Sequence, residues 1–277
     1  MTFADQLLAQ LAPLAAMLPP VRTLHLPPLE AADRKEGEFG AIELADGSLG
    51  LAYVRLDDTL HRLLGMPDAA GLDGMDALVL AGRYAGTDDA QRTLGFAAIN
   101  AITRHLFDRV GYVPPDSADS IGNLAPGPGD RVGMIGYFRG LAERIVATGA
   151  QLDVVERKAE LAGVQAGYTV TTDASVLRRC NKVLSTSTIL LNDTLEAVLG
   201  ECAGAARIAM IGPSAGCLPD ALFARGVTLL GGTWIEDGPA FVRALRGGQA
   251  WGAQVRKCAI TPADYPGWTA LRRRLGL

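Results

Sequence analysis

The sequence predicts an α/β protein in which a small α+β domain precedes a doubly wound, mostly parallel sheet. Three observations support this fold class: short strand-like runs and helices fill the first part, proline and glycine crowd residues 114–130, and strands alternate with helices thereafter. Such alternation implies right-handed crossovers between parallel strands. We therefore predict a first domain over 1–113, a linker over 114–130 and a second domain over 131–277.

The first domain opens with MTFADQLLAQLAPLAAMLPP, whose apolar residues recur at helical spacing until Pro19-Pro20 end the helix. Residues 21–29 are predicted to be extended. Residues 37–54 are predicted to form a hairpin, because Asp46-Gly47 separates two apolar runs. A short helix over 73–82 and a long one over about 87–110 follow, the latter with an apolar stripe that includes Leu94 and Ile102.

The second domain alternates regularly between the two element types. The predicted strands are RVGMIGYF, QLDVVER, KVLSTST, ARIAMIG and VTLLGGTWI, the last clear strand. The predicted helices are RGLAERIVATG, TDASVLRRC, DTLEAVLGEC, LPDALFARG and GPAFVRALRGG.

Charge and hydropathy exclude several functional classes. The net charge is −4, and no basic run exceeds Arg272-Arg273-Arg274, so no nucleic-acid partner is expected. No stretch approaches the roughly 18 apolar residues of a membrane span, and the N-terminus has no basic region typical of a signal peptide. We expect a cytoplasmic protein with no membrane partner, and the sequence leaves homo-oligomerisation open.

Candidate site residues follow from the sheet, since ligands of open parallel sheets bind beyond the carboxyl ends of the strands. Glu156 is a candidate acceptor for a ligand hydroxyl or a metal and a candidate general base. An ion pair with Arg157 or Arg139 is an equal alternative. The other candidates at these strand ends are ligand-binding: Gly136, Tyr137, Thr186, Asn192, Gly212, Pro213, Ser214 and Gly232.

The loop IGPSAGC after the fourth strand is predicted to form a backbone-lined wall for a polar or anionic ligand. It lacks the lysine of an ATP-hydrolysing P-loop. Cys217 is more typical of a small packed residue than of a metal ligand, and no histidine or cysteine has the spacing of a zinc site.

Classical NAD binding is not expected, because Gly133, Gly136 and Gly140 do not form G-x-G-x-x-G and Tyr137-Phe138 crowd the turn. Glu156 nevertheless lies 20 residues after Gly136, where an acid that binds ribose is expected. An enzyme that uses a nucleotide-type cofactor such as S-adenosylmethionine is therefore the alternative function. A non-catalytic partner protein is a third.

Four stretches together resemble a family of bacteria and archaea, the putative heavy-metal chelation domain family. They are LGFAAINAI, DVVER, STSTILLNDTLEAVL and IGPSAGCLPDALFARGVTLLGGTWI, at 94–102, 153–157, 185–199 and 211–235. The chain departs from the family at Ser185-Thr186-Ser187, where relatives often have Thr-Gly.

The resemblance implies an enolase N-terminal-like domain packed on a Rossmann-like domain, with the site between them. It implies that Asn100 projects from the first domain into that crevice as a ligand-binding residue. It also implies a small, polar, metal-chelating ligand of metallophore- or pterin-like kind, bound or processed there, with a metal ion or metallophore as the cofactor class. The metal ligands themselves are not identified by the sequence.

Overall fold

The computed structural model describes residues 1–66 and 71–277. Its first part contains an antiparallel sheet with the strand order β1-β2-β3. The elements of this part, in chain order, are α1 Phe3–Leu11, β1 Val21–His25, β2 Phe39–Leu44, β3 Leu49–Tyr53, α2 Thr59–Leu64, α3 Ala77–Gly82 and α4 Asp89–Val110.

Local sequence explains why these elements begin and end where they do. Thr2 and Asp5 form a capping box at the start of α1. Gly47, with φ of 90°, makes the turn of the predicted β2–β3 hairpin. α4 begins after Asp88, whose side chain accepts a hydrogen bond from Gln91 N, and ends at Gly111 in the left-handed conformation. The predicted hairpin and long helix are confirmed.

The second part contains an eight-stranded sheet with the order β11-β10-β9-β8-β4-β5-β7-β6. Its elements are β4 Arg131–Ile135, α5 Arg139–Val146, β5 Gln151–Val155, β6 Gly163–Gln165, β7 Tyr168–Thr171, β8 Lys182–Thr186, α6 Leu195–Glu201, β9 Arg207–Ile211, α7 Asp220–Phe223, β10 Leu229–Ile235, α8 Gly238–Arg246, β11 Val255–Ile260 and α9 Trp268–Arg274. The six strands from β10 to β7 are parallel, and the predicted α/β class is confirmed.

Two parts of the sequence prediction are wrong. The helix predicted at TDASVLRRC is a short 3-10 helix over Ala174–Arg179, and the hairpin β6–β7 precedes it. All three residues of β6 are exposed, so its sequence lacks the alternation of apolar and polar residues by which a strand is predicted. VTLLGGTWI is not the last strand, since β11 pairs with it in antiparallel orientation.

The strand order reverses between β4 and β8, which are neighbours in the sheet. The residues that follow β4 lie very close to the end of β8: a Cβ placed on Gly136 would be 2.9 Å from Thr186 Cγ2. Gly136 adopts a φ of 84°, which side-chain-bearing residues rarely do. This is the position in the sheet where the fold rule places ligands.

The first residues of the predicted linker, 115–117, lie along the outer edge of β11, and turns follow at 120–123 and 128–129. Ser117 N donates to Lys257 O, and Ala259 N donates to Pro115 O. The domain bounds stay a prediction, since one buried apolar cluster contains residues of both parts, including Ile99 of α4 and Met210 of β9. In the two ranges described, no helix combines the length and hydropathy needed to cross a membrane.

Candidate functional site

A cleft of about 570 Å³ lies at the carboxyl end of β9, and we call it the strand-end cleft. It is lined by the start of α5, by residues of the segment 117–122, and by residues of β10 and β11. Lys35 lines it from the first part of the chain. Its volume is in the range usual for small-molecule sites.

Three of the predicted ligand-binding residues line the strand-end cleft: Gly212, Pro213 and Gly232. The two glycines are also required by close packing. A Cβ on Gly212 would overlap the Ser187 hydroxyl, and one on Gly232 would lie 2.5 Å from Ala215 O. The IGPSAGC loop therefore contributes to a cleft wall, and its glycines let neighbouring loops approach.

Ser214 and Asn100 join the two parts of the chain instead of lining this cleft. Ser214 Oγ accepts a hydrogen bond from Tyr53 N at 2.9 Å. Asn100 Nδ2 donates to Leu51 O at 2.7 Å and to Ser214 O at 2.9 Å. Asn100 also lines an adjoining cavity of about 40 Å³, which shares Pro213, Thr233 and Cys258 with the strand-end cleft. Their role in ligand binding stays a prediction.

Glu156 lies at the end of β5, outside the residues that line the strand-end cleft. Its Oε2 accepts a hydrogen bond from Tyr137 N at 3.0 Å, and its Oε1 accepts one from Lys158 N at 3.0 Å. The Tyr137 hydroxyl lies 2.8 Å from that of Tyr168. Both carboxylate oxygens thus accept hydrogen bonds from nearby backbone N–H groups. A general-base role for Glu156 stays a prediction.

The side chains of Thr186 and Asn192 also form hydrogen bonds within their own loops. Thr186 Oγ1 accepts a hydrogen bond from Thr188 N, and Asn192 Oδ1 accepts one from the Thr194 hydroxyl at 2.6 Å. Neither residue lines the strand-end cleft, and neither does Gly136. This use of short polar side chains is common in turns.

Sequence reasoning missed several polar residues near the carboxyl edge of the sheet. Lys35, Arg139 and Lys257 line the cleft. Burial raises the pKa of Glu38 and of Tyr53, and the charges of Glu38 and Glu156 raise the pKa of Tyr53 further. For Glu38 and Tyr53 the sequence did offer a signal. They lie at the open end of the predicted hairpin, just before β2 and at the end of β3, and this end faces the larger sheet.

The side chains of the described ranges do not fit a bound heavy-metal ion. No group of three or more His, Cys, Asp or Glu residues in those ranges is placed to hold one. The four cysteines are buried. Burial raises the pKa of the Cys217 thiol to about 12 and that of Cys258, which lines the cleft, to about 11.

Two family models match the chain, both described as putative heavy-metal chelation: DUF364 over residues 119–263 and DUF4213 over residues 38–103. The chain belongs to the DUF364 family. The DUF364 match includes the strand-end cleft from Asp119 to Cys258, whereas Lys35 and Ser117 lie outside both matches.

Two solved structures of DUF364 proteins, both described as having unknown function, share the fold. The protein from Desulfitobacterium hafniense is 20% identical, with a TM-score of 0.68 over 94% of this chain and 98% of that one. The protein from Pyrococcus horikoshii is 18% identical, with a TM-score of 0.68 over 94% of this chain and 100% of that one. No curated protein matches the chain.

Proposed function

We propose that this DUF364 protein binds a small polar molecule of metal-chelating kind, metallophore- or pterin-like, in the strand-end cleft. The observation that carries the proposal is the cleft of about 570 Å³ at the strand ends, with Lys35 of the first part at its edge. Its volume is typical of small-molecule sites, and Gly212 and Pro213 place it at the carboxyl end of β9, the edge of the sheet where α/β proteins bind ligands.

The chelating character of the ligand rests on the family description and on the chemistry of the side chains. Since the described side chains do not fit a bound heavy-metal ion, the metal would enter as part of a complex with an organic chelator. The protein would then contact the organic part of the complex, and the four buried thiols would take no part.

Gly140 provides a way to test the cleft directly. It lies in the wall formed by α5, and a Cβ at this position would meet no described atom within 4 Å. Gly140→Phe therefore adds a ring at a residue that lines the cleft, and the Cβ causes no clash there. Gly200→Phe is the matched control, because Gly200 is exposed on α6, equally open, and does not line the cleft.

The protein is purified without a metal-affinity tag or chelators and studied by native mass spectrometry and elemental analysis. We expect a co-purified small molecule or its metal complex that Gly140→Phe removes and Gly200→Phe retains. Equal retention in both variants would contradict the proposal. A co-purified nucleoside would instead support the alternative of a nucleotide-type cofactor such as S-adenosylmethionine.

A further inference from the structure

The strand-end cleft is positively charged in a protein whose net charge is −4. The cationic side chains of Lys35, Arg139 and Lys257 line it, and Asp119 is the one carboxylate among its lining residues. Both oxygens of Asp119 are already in use, since they accept hydrogen bonds from Ile121 N at 3.0 Å and Asn123 N at 2.7 Å.

Acidic residues near the cleft pair with arginines and leave the lysines available. Arg256, next to Lys257, pairs with Asp116 at 2.6 Å and with Glu236 at 3.5 Å. Arg139 pairs with Glu143 at 3.1 Å. Within residues 1–66 and 71–277, no carboxylate lies within ion-pairing distance of Lys35 or Lys257.

Apolar side chains line the cleft together with these cations. Phe138, Leu141, Ile211 and Leu229 are among them, and the Phe138 side chain is partly exposed. Aromatic and aliphatic surface of this kind binds planar apolar groups, whereas lysines bind carboxylate, phosphate or sulfonate groups. The cleft thus combines apolar surface with cationic side chains.

We infer that the ligand of the strand-end cleft is an amphipathic anion, with a planar apolar body against Phe138 and an acidic group held by Lys35 and Lys257. This inference rests on the proposed function, because it specifies the charge class of the molecule bound in the same cleft. Lys35 comes from the first part of the chain and Lys257 from the second, so the acidic group is held from both parts.

Two dyes that differ in one charge test the inference. Anilinonaphthalene sulfonate carries an acidic group on a planar body, and phenylnaphthylamine is its uncharged counterpart. We expect the purified protein to bind the sulfonate more tightly, and added salt to weaken only the sulfonate. Gly140→Phe should abolish binding of both dyes, whereas Gly200→Phe should leave both unchanged.

Lys257→Gln should weaken the sulfonate roughly three- to tenfold and leave the neutral dye unchanged, since one screened charge contributes that much to affinity. Arg273→Gln, an equal charge change at an exposed position on α9 that does not line the cleft, should change neither. Melting curves of both variants verify that they are folded.

The outcomes separate the two proposals. Equal affinity for the two dyes, or sulfonate binding unchanged by Lys257→Gln, would overturn the anionic ligand and leave the proposed site intact. Binding of neither dye, or dye binding unaffected by Gly140→Phe, would overturn the proposed site and the anionic ligand together.

Discussion

Glu156 illustrates how a strand-end carboxylate can serve the fold at the scale of a single residue. Its two oxygens accept hydrogen bonds from Tyr137 N and Lys158 N, which follow β4 and β5. The carboxylate therefore fixes the turn after the first strand of the larger sheet. A carboxylate that only contacted a ligand could be replaced without loss of stability, whereas these two contacts predict that Glu156→Gln destabilises the fold.

Glu156→Gln should lower the free energy of unfolding by about 1–2 kcal/mol, because the new amide NH₂ would face a backbone donor where an oxygen accepts now. Thermal unfolding followed by circular dichroism measures this loss. Glu160→Gln is the control, since Glu160 is exposed and should be neutral. Equal melting temperatures for the two variants would show that the Glu156 contacts add no stability.

Residue positions at the site were predictable, but their partners were not. The strand pattern predicted that Gly212, Pro213 and Gly232 lie at carboxyl ends, and these three residues line the cleft. For Gly232 the strand end is wrong, because it lies in the middle of β10 and pairs with Cys258. The lysines Lys35 and Lys257 were missed because they belong to a short 3-10 helix and to an unpredicted strand. Only the tertiary fold brings these two lysines to the same cleft, so no local sequence pattern identifies either one.

At the scale of elements, α4 lies directly on β3 at Gly50. A Cβ at this position would overlap Ala101 N and Ala97 O of the helix. The absence of a side chain therefore sets the distance between the helix and the small sheet. Asn100 of the same helix reaches Leu51 O on that strand because the backbones are this close.

Gly50→Ala should destabilise the protein by about 3 kcal/mol or more, since backbone atoms of α4 cannot move aside without repacking the core. Gly82→Ala in α3 has no described atom near its Cβ and should be neutral or stabilise by up to about 1 kcal/mol. Urea unfolding of both variants measures the difference. Similar midpoints would contradict the close contact.

Elements with strong local signals were predicted well, and elements without them were missed. The Asp46-Gly47 hairpin and the long helix α4 follow from turn chemistry and periodicity. β11 was missed because Arg256 and Lys257 interrupt its apolar pattern, and these exposed or half-exposed side chains reflect its position near a sheet edge. Central parallel strands are recognised as continuous apolar runs, whereas an edge strand exposes part of its side chains, so hydropathy identifies it poorly.

At the scale of the whole molecule, buried hydrogen bonds join the two parts of the chain. Ser214 and Asn100 bind across the interface, and the Tyr84 hydroxyl donates to Leu190 O. Burial raises the pKa of the Tyr84 hydroxyl well above its usual range, so it remains a donor. The shared apolar cluster adds to this coupling.

The protein should therefore unfold in a single transition. Trp234, Trp251 and Trp268 are the chain's three tryptophans, so fluorescence reports on the second part while far-ultraviolet circular dichroism reports on both. The two melting curves should coincide. Ser214→Ala should shift both together by a few degrees, because the backbone N–H of half-buried Tyr53 loses its acceptor at a cost of about 1–3 kcal/mol. Separate transitions would contradict this coupling.

The extended segment beside β11 has a consequence for self-association. An uncovered strand edge pairs readily with strands of other molecules, which favours aggregation. Here Pro115 and Ser117 already occupy the backbone groups of β11, and the opposite edge of the larger sheet is β6, only three residues long. The segment that connects the two parts thus covers the outer edge of β11. Shortening it would leave the backbone N–H and C=O groups of β11 free to pair with other molecules and would promote precipitation.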